Sequence, residues 1–268
     1  MPTITSISAQ KRPGRYNIFL DGQYAFPVSE TTLIQFMLAK GMVVDEKLEA
    51  AIKAAEVDAA ANSLALDFLS HQMRTVAEVR RRLKKEELPE SAIAPVIERL
   101  VDLNYLDDAK FARAFLHDNA LMGSRGPKLV ASALAQKGVP QPLIQAAIAE
   151  VPEADWATVA TRVAEKAARQ TQRKPLNDRR QKIRLALMQK GFDQDQSSAA
   201  LAGLDLTRDT ALEATTLEAA AAKQWRLKRR YEGYDRRNRV RQALFRQGFE
   251  LDAIDAAVAA LEEADANA

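Results

Sequence analysis

The sequence contains no cysteine in 268 residues, which excludes disulfides, thiolate metal sites and cysteine nucleophiles together. That absence also agrees with a cytoplasmic setting. No stretch approaches the ~18 consecutive apolar residues of a membrane-spanning helix, and Met1-Pro2-Thr3-Ile4 does not open a signal peptide. Histidine is nearly missing. His71 and His117 stand 46 positions apart, neither with a nucleophile and an orienting acid beside it, so surface or capping roles are expected. No metal-ligand spacing occurs. Gly123-Ser124-Arg125-Gly126-Pro127-Lys128 lacks the GxxxxGK[ST] spacing and follows no strand, so it reads as a turn between helices. Asp107-Asp108 reads as a helix start rather than as paired catalytic acids. The expectation is a chain with no catalysis, no cofactor and no metal.

What is present favours helix: 47% apolar residues and much Ala, Leu, Gln, Lys, Arg and Glu. The stretch Leu100–Val139 organises the rest. Leu103 to Asp108 breaks one helix, and Asp107 or Asp108 can cap the next. Phe111, Ala112, Phe115 and Leu116 then form an apolar stripe that ends at Gly123–Gly126. A second helix starts at Pro127 and closes on Leu134-Ala135-Gln136-Lys137-Gly138-Val139, where Gly138 is free to take a positive φ.

That closing hexapeptide recurs as Leu187-Met188-Gln189-Lys190-Gly191-Phe192 and as Leu244-Phe245-Arg246-Gln247-Gly248-Phe249. Leu83-Lys84-Lys85-Glu86-Glu87-Leu88 fits upstream, with Glu87 in the glycine place. A period near 50 residues marks one supersecondary unit copied along the chain. The expected fold is mainly α: tandem three-helix, helix-turn-helix-like repeats in an elongated array, behind a small N-terminal β-hairpin/helix segment. The expected divisions are 1–57 for that segment, then units at 58–105, 106–152, 153–206 and 207–268. Strands are expected at Ile4–Ala9, Tyr16–Leu20 and Tyr24–Val28, the last two around Asp21-Gly22, a strong hairpin signal. Ser29 should cap a helix reaching Ala39, and Asp45 should start another. Leu212, Leu217, Trp225 and Leu227 should mark the fourth unit's first helix; Leu251, Ile254, Val258 and Leu261 should be buried by its third. Glu262–Ala268 should fray.

Net charge is +3, a mild imbalance whose meaning lies in its clustering. Lys166, Arg169, Arg173, Lys174, Arg179, Arg180, Lys182, Arg184 and Lys190 fall together against the single acid Asp178, and Lys223–Arg246 is similarly loaded. One such run is usually a solvated face. Repetition at the same place in successive units would instead set charges along one side of an array, suited to a polyanion backbone. The candidate binding residues are Arg80, Arg81, Lys84, Arg125, Lys128, Arg179, Arg180, Arg184, Arg236, Arg237 and Arg241. Arginine predominates, which suits bidentate contacts to phosphate or carboxylate. Tyr231 and Tyr234 beside the last cluster could stack on bases, though packing explains them better.

RTVAEVRRRLKKEEL, then VIERLVDLNYLDDAKFARAFL, GSRGPKLVASALAQKGV and two further LxxKG-type units, resemble the RecX family of bacterial regulatory proteins. The resemblance covers most of the chain. Departures are Glu87 for the usual glycine and a fourth unit, as in the family's long members. The resemblance implies a partner, RecA and its DNA filament, with single- or double-stranded DNA as a further partner. It implies restraint of filament growth, RecA ATP hydrolysis and strand exchange. A monomer is expected, and the lack of a long apolar run implies no membrane partner. An independent DNA-binding helix-turn-helix regulator and a passive helical scaffold are the alternatives.

Overall fold

The computed structural model describes residues 1–11, 13–172, 174–207 and 210–266, the last by its backbone. Among these residues are three strands and thirteen helices. They fall into two compact units, Met1–Ala114 with Leu134–Ile144, and Phe115–Ala133 with Gln145–Ala268.

The first unit opens with β1 (Ile4–Ala9), β2 (Arg15–Leu20) and β3 (Gln23–Ser29), an antiparallel sheet in that order. The expected hairpin is β2–β3, turning on Asp21 (φ +48°) and Gly22 (φ +86°), and β1 adds a third strand. Ser29 caps α1 (Glu30–Gln35) by accepting the Thr32 N–H. This helix stops short of Ala39 because Met37 turns left-handed at φ +48°. The Leu38 N–H then returns to the Leu33 carbonyl at 3.0 Å, and Leu38 is buried with Ile4, Ile18, Phe26 and Val28. Burying a leucine gains about 1.5–3 kcal/mol, against about 1–2 kcal/mol for a left-handed residue; burial wins.

Helix α2 (Glu46–Ser70) is capped by Asp45 and runs through residues 57 and 58 without a break. Its first half places Ile52 in the sheet's core. Its second half joins Ala61 and Ala65 to Val79 and Leu83 of α3 (Val76–Lys85) and to Ile93, Val96, Ile97 and Leu100 of α4 (Glu90–Asp102). Thr75 starts α3 with a full capping box: its hydroxyl accepts the Glu78 N–H, and the Glu78 carboxylate accepts the Thr75 N–H.

Helices α5 (Asp108–Met122), α6 (Pro127–Gln136) and α7 (Gln141–Ala149) follow, burying Phe111, Ala112, Leu116, Val130, Leu134 and Ile144. Asp107 caps α5 through the Lys110 N–H at 2.8 Å. Asp108 does something else: it accepts the Val76 N–H at the start of α3, 2.9 Å away.

In the second compact unit, α8 (Glu153–Gln170), α9 (Leu176–Gln189) and α10 (Gln194–Ala202) enclose Val159, Val163, Ile183, Leu187 and Phe192. Then α11 (Thr210–Leu227), α12 (Gly233–Phe245) and α13 (Leu251–Ala266) enclose Leu217, Trp225, Val240, Leu244, Ile254 and Val258. Leu212, Leu227 and Leu251 are exposed, and Leu261 is half-buried. Residues 262–266 are helical rather than frayed, and Glu262 and Asp265 hold ion pairs; 267 and 268 lie outside the described residues.

The recurring glycines explain how successive triplets join. Gly138, Gly191 and Gly248 have φ of +87°, +88° and +90°, as expected of helix-terminating turns. Each turn also receives the first residues of an earlier second helix. A Cβ at Gly138 would stand 2.2 Å from Ala77 Cβ, one at Gly191 2.6 Å from Leu129 N, and one at Gly248 2.7 Å from Asp178 N. The Thr75 hydroxyl donates to the Lys137 carbonyl at 2.6 Å; the Gly126 and Lys128 N–H groups donate to the Lys190 and Gly191 carbonyls at 2.7 and 3.2 Å. At the start of α6 the unpaired N–H groups of one helix thus meet the unpaired carbonyls that end another. Glu87 also takes a left-handed φ, +59°, but its side chain is exposed. A Cβ is tolerated at that turn.

Candidate functional site

The eleven candidate cations lie on or beside α3, α6, α9 and α12, and their surroundings sort them into two groups. On α3, Arg80 and Lys84 both pair with Glu90, the latter at 3.1 Å. Arg81 is exposed and has no carboxylate partner among the described residues. Before α6, Arg125 lies over the Phe115 ring at 5.7 Å, and Lys128 projects exposed from the first turn. Three N–H groups of the intervening turn, those of Gly123, Arg125 and Gly126, are already held within the protein. Asn119 brackets Arg125, accepting its N–H at 3.2 Å and donating to its carbonyl at 2.7 Å, and the Gly126 N–H is held by Lys190.

On α9, Arg179 is half-buried and donates to the Thr207 carbonyl at 3.2 Å, while its Nε is buried without a partner. Its role is partly internal. Arg180 and Arg184 are exposed one turn apart, with no ion pair to any described residue, and face a cavity of about 460 Å³ beside α10. Arg173, expected in the same cluster, lies outside the described residues.

On α12 every candidate is occupied. Arg236 stacks over the Trp225 ring at 3.9 Å, donates to the Trp225 carbonyl at 3.0 Å and pairs with Asp265 at 2.6 Å. The indole N–H of Trp225 reaches the same carboxylate at 2.7 Å. These two donors, the indole first and then the guanidinium, hold the Asp265 carboxyl below its usual range. Arg237 meets Glu262 at 2.6 Å, and Arg241 grips Asp255 as a fork, with contacts of 2.8 and 3.0 Å. The hydrogen bond to Glu262 comes first in raising the Arg237 pKa.

Tyr231 lies beside Arg239, whose guanidinium is 4.1 Å from the ring, whereas Tyr234 is exposed rather than packed. Sequence alone did not single out Trp225, Asp255, Glu262 and Asp265 as the residues that decide which arginines are free. Their signal was present as an acidic helix facing a basic one. Both histidines are exposed, and His71 Nδ1 lies 2.9 Å from the Asp67 carbonyl oxygen at the end of α2.

Comparison with known proteins gives this arrangement a context. Residues 2–45 match the RecX N-terminal domain, 61–100 the first RecX three-helix domain and 107–148 the second; 153–201 and 212–258 both match the third. The regulatory protein RecX of Lacticaseibacillus casei strain BL23 is 46% identical over 255 residues, 95% of this chain and 97% of that one. That of Levilactobacillus brevis is 42% identical over 263 residues, 98% and 99% of the two chains. Among solved structures, a regulatory protein RecX is 38% identical with a TM-score of 0.64, covering 74% of this chain and 98% of its own. RecX from Lactobacillus salivarius is 26% identical with a TM-score of 0.54, covering 57% and 99%. With an N-terminal domain and four three-helix modules matched in order, this chain belongs to the RecX family of regulatory proteins.

Proposed function

We infer that this protein is a non-enzymatic, cytoplasmic regulator that binds RecA and its DNA filament as a monomer. It restrains filament growth, RecA's ATP hydrolysis and strand exchange, and so modulates recombinational repair and the SOS response. The observation that carries this reading is the ordered match of the whole module series to the RecX family. The charge distribution supports it. Arg81, Arg125, Lys128, Arg180 and Arg184 have no carboxylate partner among the described residues and are available to phosphates or acidic protein surfaces. Arg80, Lys84, Arg236, Arg237 and Arg241 already have partners. Several weak sites on one connected chain sum to a tight whole through high effective concentration.

The test is RecA ATPase on single-stranded DNA, titrated with this protein. Suppression is expected, and replacing Arg81, Arg125 and Lys128 by Glu should weaken it. Where those residues contact phosphate, the salt dependence should flatten by about one unit of slope per lost contact. Unchanged ATPase and strand exchange at several-fold excess would end the RecA reading. Tight binding to one DNA sequence without RecA would favour an independent DNA-binding regulator.

A further inference from the structure

The third and fourth triplets contain the same arginine pair in two different electrostatic states. Gly191 and Gly248 are 57 residues apart, and that register superimposes Arg180 on Arg237 and Arg184 on Arg241. It also superimposes Ser198 on Asp255 and Asp205 on Glu262. In the fourth triplet both guanidinium groups are neutralised from α13: Arg241 by the forked Asp255, Arg237 by Glu262. In the third, a neutral hydroxyl stands where Asp255 would be. Helix α10 ends at Ala202, so Asp205 lies beyond the helix, whereas Glu262 lies within α13. Asp205 lines the same cavity but pairs with neither arginine. Two like charges one helical turn apart repel, and in the third triplet no carboxylate among the described residues is paired with either of them.

We propose that the cavity between α9 and α10, rimmed by Arg180, Arg184 and Ser198, receives an acidic segment of a protein partner. Its two carboxylates take the places that Asp255 and Glu262 fill in the fourth triplet. The fourth triplet is the internal precedent, since the same pair on the same helix face holds carboxylates at 2.6–3.0 Å. The surroundings favour a peptide over a nucleic-acid backbone. Half-buried Leu201, Leu204 and Leu206 line the cavity, and the exposed side of α9 adds Leu185 and Met188, 48% and 53% exposed. Arginine and methionine beside apolar side chains are the residue types enriched at protein interfaces, whereas backbone-directed nucleic-acid contacts are polar. This inference rests on the reading of the chain as a regulator that binds another protein, and names the chemistry of one contact.

The experiment uses the full chain and a fluorescent peptide of alternating Glu and Leu, with an oligothymidylate of similar charge as the second probe. Ser198→Asp rebuilds in the third triplet the carboxylate that the fourth has. It should weaken peptide binding about tenfold or more, as loss of a charge-assisted bidentate contact does. Arg180→Gln with Arg184→Gln should weaken it similarly, and Arg237→Gln with Arg241→Gln should leave it unchanged. Asp255→Ser with Glu262→Gln should free both arginines of the fourth triplet and raise the stoichiometry from one peptide to two.

Peptide binding that is absent, or indifferent to Arg180, Arg184 and Ser198, overturns the proposal. So does oligothymidylate binding that depends on those arginines when the peptide does not bind. A parallel RecA ATPase titration separates the two readings. Arg180/Arg184-dependent peptide binding without an effect on RecA keeps the cavity and ends the RecA reading. Equal suppression by wild type and Ser198→Asp, with no peptide binding, does the reverse.

Discussion

Gly191→Ala is the most informative single change, because two separate penalties meet at one added methyl group. The backbone at 191 has φ +88°, where a non-glycine residue costs about 1 kcal/mol. The new Cβ would also stand 2.6 Å from Leu129 N and 2.9 Å from Leu129 Cγ. A backbone atom cannot rotate away, so the joint must open and stretch the Gly126–Lys190 and Lys128–Gly191 hydrogen bonds. Overpacking of this kind costs about 1–3 kcal/mol, for a total of roughly 2–4 kcal/mol. Gly233→Ala is the control in the same compact unit: its φ is +50° with nothing within 4 Å of an added Cβ, leaving about 1 kcal/mol of backbone strain. Urea unfolding followed by tryptophan fluorescence reads both, since Trp156 and Trp225 are buried in the third and fourth triplets. If Gly191→Ala costs no more than Gly233→Ala, the glycine turn is only a helix terminator and the joint adds nothing.

Arg236→Ala should cost about 1–2 kcal/mol, because it removes charged hydrogen bonds to the Trp225 carbonyl and the cover over that ring. Arg184→Ala should leave stability unchanged within error, and urea midpoints compare the two. Glu78 supplies a pH dependence with a definite sign. Burial acts to raise its pKa, but the Lys137 hydrogen bond, the Thr75 N–H and the charges of Lys137 and Arg74 together lower it below 4.5. Its contribution is therefore fully present above the unfolded value and lost as pH falls through the lower folded value. The melting-temperature gap between wild type and Glu78→Gln should narrow on acidification below about pH 4.5; a constant gap from pH 7 to 3 would count against the assignment. Asp108 shifts the other way: burial raises its pKa and, with the charges of Asp107 and Glu78, outweighs the lowering by the Val76 N–H. Stability should therefore decline as pH rises from 3.8 through its raised folded pKa and then level off, and Asp108→Asn should remove that decline.

The glycine turns were legible because an apolar helical period, a glycine and an apolar residue follow one another within a few positions. The joints were not. The Thr75 hydroxyl meets the Lys137 carbonyl across 62 positions, and periodicity reports which face of a helix is buried without saying which later turn covers its start. Helix α1 shows the same limit, since its early stop follows from where Leu38 is buried rather than from any breaker before Gly41. For the basic residues, composition made Arg179, Arg180 and Arg184 look equivalent to Arg236, Arg237 and Arg241. What separates them is Asp255, Glu262 and Asp265 on the following helix, with Ser198 at the place of Asp255 in the earlier copy. The difference becomes visible when the two copies are laid over one another at Gly191 and Gly248.

The joint has a direction, and that direction governs how such a chain can grow. Each connection takes a glycine turn from the later copy and a helix start from the earlier one, so the two sides are never interchangeable. At the front of the series the corresponding turn has Glu87, whose side chain projects into solvent where the later copies admit a neighbour. At the other end, Gly233 at the start of α12 has nothing within 4 Å of an added Cβ, and Glu232 provides no side-chain cap. A gene duplication that appends one more copy after α13 would meet an acceptor already in place and leave every existing connection intact. One that prepends a copy must first change Glu87. The joint therefore admits a further module beside α12 more readily than one ahead of Glu87, and the match of 153–201 and 212–258 to the same RecX three-helix domain agrees with copying in that direction.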